Sequence, residues 1–132
     1  MKTIKHPQEF LNVFIKNFSD SINKKVDFKL IGSCARNIYT PGEKDIDFIV
    51  NCADGYFDGN DVAVFYLMLE ENKRQGYYLE KPDGRLVSVL DGVIFFNQRI
   101  QDLIKKKWDV ISHSEVCLRY SKGGIARLIG KI

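Results

Sequence analysis

No window of this chain approaches the roughly 20 consecutive apolar residues that a membrane-spanning helix needs, and the N-terminal MKTIKHPQEF has no apolar core of a secretory signal. A cytoplasmic protein with no membrane partner is the expectation. Cysteine is sparse: Cys34, Cys52 and Cys117 are odd in number, widely spaced and without a C-x-x-C pair. That argues against both a disulfide framework and a zinc site. Histidine is scarcer still, and His6 and His113 have no acidic or thiol neighbours at ligand spacing. Neither is assigned a role. Only three prolines interrupt the chain and no low-complexity linker divides it, so residues 1–132 are expected to form a single minimal domain. A net charge of +3 is too small to imply a polyanionic partner by itself.

What is present is patterned. Phe10, Leu11, Phe14, Ile15 and Phe18 recur at helical spacing after Pro7, which predicts a helix over 7–23. Val26 to Ile31 alternates and reads as a strand broken by Gly32. A helical turn or two is expected over Ser33 to Tyr39, ahead of Pro41-Gly42, and a second strand over Asp45 to Val50. Asp61 reads as the N-cap of a helix running to Gly76. Tyr77 to Leu79 and Leu86 to Leu90 flank the turn Pro82-Asp83-Gly84, and Asp91-Gly92 reads as a second turn before a strand over Val93 to Phe96. A helix with Ile100, Leu103 and Ile104 on one face, a strand over Glu115 to Tyr120 and a helix after Gly123-Gly124 complete the reading. The fold class that follows is α+β, a mixed β-sheet with flanking helices.

The chemistry concentrates in KLIGSCARNIYTPGEKDIDFIV, residues 29–50. A strand that ends in Gly32-Ser33 and opens a helix presents backbone N–H groups where anions are favoured. Arg36 adds a cation one turn on. Alternation places Asp45 and Asp47 on one face of the next strand, about 7 Å apart along it. Two carboxylates so placed suit Mg²⁺, which keeps positions for water and phosphate oxygens. If the two strands are neighbours, metal and phosphate sites converge.

Apolar-Gly-Ser followed by Asp-apolar-Asp resembles the motif of the DNA polymerase β-type nucleotidyltransferases. It is most similar to the head domain of tRNA nucleotidyltransferases (CCA-adding enzymes) and bacterial poly(A) polymerases, with Arg36-Asn37 where that family has Arg-Asp. The likeness covers about 25 residues, with a looser echo in GRLVSVLDGVIFFNQR that gives Arg99 a role. It implies a nucleotidyltransferase-like sheet of about five strands, an NTP donor and two Mg²⁺ ions on Asp45 and Asp47. Triphosphate contacts are implied from Gly32, Ser33 and Arg36. Members often carry a third carboxylate on an adjacent strand. Asp91 is favoured here over Glu80. The acceptor is left open between an RNA 3′ end, a protein and a small molecule. Lys105 to Lys107, Arg119, Lys122, Arg127 and Lys131 make the C-terminal third basic enough for RNA contact, and a helical protein partner would supply what so short a chain lacks. Tyr56 and Phe57 are candidates for stacking on a base, with loop packing the other reading, and Cys34 sits inside the phosphate turn. Two alternatives stay open: a non-catalytic nucleotide-binding domain, and an interaction scaffold that uses the basic third.

Overall fold

The computed structural model describes residues 1–94. The elements expected after Ile94, together with Arg99, His113, Cys117 and the basic positions from Lys105 to Lys131, lie outside the described residues.

Apolar side chains every third or fourth residue give α1, Pro7–Ile22, with proline in its first turn and Leu11, Phe14, Ile15 and Phe18 buried. Asn23 ends it in the left-handed conformation, φ 54°, its N–H donating to the Ser19 carbonyl. β1 covers Val26–Ile31. The helix after it, α2, is one turn, Gly32–Ala35, shorter than the expected run to Tyr39. β2 spans Ile46–Cys52 and is buried almost throughout, as befits a central strand. α3, Gly59–Arg74, is capped by Asp58 and not Asp61. The two form a reciprocal capping box, the Asp58 side chain accepting from Asp61 N–H and the Asp61 side chain accepting from Asp58 N–H.

The strands after α3 divide differently from the expectation. β3, Tyr78–Glu80, and β4, Leu86–Ser88, form an antiparallel hairpin across the Pro82-Asp83-Gly84 turn, where Gly84 has φ 85°. β5 is Leu90–Ile94, so Asp91-Gly92 is strand and not turn. The chain changes sheets at Val89: its N–H donates to Tyr77 on the hairpin side, while its carbonyl accepts from Ile46 N–H at the head of β2.

The main sheet has the order β1-β2-β5, with β1 antiparallel and β5 parallel to β2. It is therefore mixed, and the described residues have the expected α+β character. α1 and α3 cover one face. Phe48 from β2 meets Phe14 and Phe65 edge-on, with centroids 6.5 and 6.1 Å away, and Phe65 meets Phe18 at 5.2 Å. Phe57 is 1 % exposed and packs on Phe18, which removes it as a base-stacking candidate; Tyr56 beside it is exposed. No described helix is long and apolar enough to cross a membrane.

Gly92 is the tightest point of this core. A Cβ there would lie 2.4 Å from Phe48 Cζ and 2.7 Å from Phe65 Cζ. Gly92→Ala is expected to cost about 1–3 kcal/mol through overpacking, read as a lower urea midpoint. An unchanged midpoint would show that the two rings do not depend on the missing side chain.

Candidate active site

The sheet's other face carries the charge. In β2, Ile46, Phe48 and Val50 join the core under the helices, so Asp47 points the opposite way. β1 pairs with β2 so that Ile31 lies across from Asp47, and the chain turns at Gly32 immediately above it. Gly32 has φ 64°, and a Cβ on it would lie 2.6 Å from Asp47 Oδ2. Both the backbone angle and the close carboxylate require glycine here. The two strands that the motif spans are thus direct neighbours.

The parallel register of β2 and β5 sets Asp47 opposite Asp91. Asp45 lies just before β2, where the Ile46–Val89 hydrogen bond ties the strand's start to the sheet crossing. Asp45, Asp47 and Asp91, all half-buried, each bring a carboxylate oxygen within 4.8 Å of the other two. Glu80, the alternative third carboxylate, is exposed on β3 and is not part of the group. Burial pushes the Asp45 carboxyl above its ordinary value, and the charge of Asp91 pushes it further; Lys81 opposes both. Three half-buried carboxylates gathered this closely form the donor set that a hard divalent cation takes up.

Around them opens a cleft of about 250 Å³ lined by Ser33, Arg36, Lys44, Asp45, Asp47 and Lys81, among others. Ser33 Oγ is buried beside it with no hydrogen-bond partner among the described residues. The first-turn N–H groups of α2 have no intrahelical acceptors. Gly32, Ser33, Arg36, Asp45, Asp47 and Asp91 are therefore assembled at one end of the sheet.

Two cations escaped the sequence reading. Lys44 directly precedes Asp45 and was legible as a neighbour. Lys81 arrives on the β3–β4 hairpin, and no local pattern signals it. Cys34, within α2, is pushed up to about 11 by burial and by the Asp47 charge. A thiol so protonated is a packed side chain, not a reactive one.

Matched against protein-family models, curated proteins and solved structures, the chain has no counterpart in any of the three. The functional reading therefore rests on the geometry of the site and on the motif.

The raised Asp45 value has a consequence for stability. The native state binds this proton more tightly than the unfolded chain does. Stability therefore falls as pH rises from the unfolded value of 3.8 through the raised native one, and the penalty remains at neutral pH. In chelator, Asp45→Asn is expected to melt above wild type at pH 7, with the advantage gone below about pH 3.8. Thermal melts across that range test this. Equal melting temperatures at pH 7 would refute the raised proton affinity of Asp45.

Proposed function

We propose that the chain is a Mg²⁺-dependent nucleotidyltransferase, built on a nucleotidyltransferase-like mixed sheet, that moves a nucleoside monophosphate from an NTP to a hydroxyl acceptor. The observation that carries this reading is the convergence of three carboxylates, from the entry to β2, from β2 and from β5, beneath a glycine–serine turn. Asp45 and Asp47 are the residues that would hold the metal, with two ions the expected complement, and Asp91 is the third carboxylate. Bound Mg²⁺ supplies charge neutralisation at the phosphates and lowers the proton affinity of the attacking hydroxyl.

The remaining work falls to the chain. The N–H groups of the α2 turn and Ser33 Oγ, buried and unpartnered, serve as donors to triphosphate oxygens. Arg36, Lys44 and Lys81 line the cleft and offset the charge that collects on the leaving pyrophosphate. The acceptor oxygen attacks the α-phosphorus, the bond from that phosphorus to the pyrophosphate oxygen breaks, and the hydroxyl proton passes to Asp91. Asp91 suits that role because the parallel register sets it opposite Asp47 and its carboxylate lies within 4.8 Å of those of Asp45 and Asp47. Cys34 takes no part. The acceptor is an RNA 3′ end, a protein hydroxyl or a small molecule, and the basic C-terminal third is the part of the chain suited to RNA.

The test incubates the protein with each α-³²P-labelled NTP, Mg²⁺ and cell extract, and resolves RNA, protein and small molecules. Label in one fraction with wild type, reduced on the order of a hundredfold or more by Asp47→Asn, supports transfer and names the acceptor class. NTP binding without pyrophosphate release would replace this reading with a non-catalytic nucleotide-binding domain. Undiminished transfer by Asp47→Asn would remove the mechanism. Arg36→Ala is expected to raise KM for the NTP by about tenfold with a smaller change in kcat, as loss of a phosphate contact made in both ground and transition states. Steady-state kinetics with varied NTP distinguishes this from a fall in kcat alone.

A further inference from the structure

Among the described residues β1 has β2 on one side and no strand on the other. Which of its main-chain groups face outward follows from one hydrogen bond. Ala53 N–H donates to the Lys25 carbonyl at 2.8 Å, and these two positions are opposite in the register that continues from Val26↔Cys52. They are therefore a hydrogen-bonded pair. The alternation of an antiparallel ladder then turns the groups of Asp27, Lys29 and Ile31 toward β2, and those of Val26, Phe28 and Leu30 away from it. Three successive outward N–H and C=O sets make a template for another strand. On the same stretch the side chains of Val26, Phe28 and Leu30 pack against the helix-side core, which places Asp27 and Lys29 on the other face.

We propose that β1 pairs antiparallel with β1 of a second copy of this chain, about a twofold axis at Phe28, joining two sheets into one. In that register Val26 lies across from Leu30 of the other copy and Phe28 across from Phe28, each a hydrogen-bonded pair made by outward groups. Asp27 then lies across from Lys29, twice, at the intervening positions where side chains approach most closely. The neighbouring registers that also satisfy the outward groups fail on charge. An axis at Asp27 sets Asp27 against Asp27, and an axis at Lys29 sets Lys29 against Lys29. Like charges directly opposite are destabilising. An axis at Val26 or Leu30 shortens the overlap.

A lysine on an edge strand ordinarily discourages pairing. Here an aspartate two residues earlier lets one strand present both signs, and the charge selects a register instead of blocking it. Lys29 is engaged within its own chain. An ammonium carries three donors, so it can serve more than one acceptor. The interface is isologous and closes on itself. It does not depend on the nucleotidyltransferase reading.

Sedimentation equilibrium on the full chain tests it, with wild type, Asp27→Lys, Lys29→Asp and the double exchange. Wild type is expected to be a dimer. Each single variant should raise the dimer Kd on the order of tenfold or more, and the double exchange should return it to near the wild-type value. An equimolar mixture of the two single variants should form a heterodimer, because the two unlike strands are again complementary at both sites; this also shows that each single variant is folded. A monomeric wild type overturns the proposal. So does a dimer indifferent to the single changes, or a double exchange and a mixture that associate no better than the singles.

Discussion

The contact on which the rest depends is the Phe48 ring lying where residue 92 has no side chain. Strand register has a period of two, so a shift of one residue turns every side chain to the wrong face. In the observed register Gly92 is the partner of Phe48, and the ring fills the space over it while Phe65 closes from α3. Any other residue of β5 beside Phe48 would drive a Cβ into one or both rings. Fixing Phe48 to Gly92 also fixes the preceding pair, Asp47 to Asp91. The packing of the core on one face thus assembles the carboxylates on the other.

That assembly by itself opposes stability. Burial and the neighbouring Asp91 charge raise the proton affinity of Asp45, and the sheet holds the carboxylates together because apolar burial elsewhere offsets the cost. Lys81 reduces it, and its position depends on the chain's crossing between sheets at Val89. The same crossing anchors the head of β2, beside Asp45. Backbone geometry, local charge and the cleft are therefore set by a few connected features: the turn at Gly32, the crossing at Val89 and the glycine at position 92.

Much of this was legible in the chain. The amphipathic pattern of α1, the alternating strand before Gly32 and the Asp-apolar-Asp of β2 depend on near neighbours and were read with nearly the observed bounds. The misreadings share one cause. Asp91-Gly92 has the chemistry of a tight turn, yet it lies in a strand because tertiary packing needs a glycine there for another reason. Asp61 has the chemistry of an N-cap, but Asp58 takes that place and Asp61 becomes its reciprocal partner. Phe57, open to stacking on a base or to packing in its loop, takes the second use against Phe18. In each case the residue type allows two uses, and only its surroundings choose between them.

By itself, then, the sequence determined the elements up to β2, the glycine–serine turn and the shared face of Asp45 and Asp47, because each follows from backbone preference or from a period of two or 3.6 residues. The tertiary structure alone decided that Lys81 lines the cleft and that Val89 parts one strand into two sheets, and it brings Asp91, which the sequence favoured over Glu80, into the group. Those outcomes depend on which strands lie side by side and in what register. That is settled by the fit of Phe48 and Phe65 over Gly92, a contact between residues far apart in the chain.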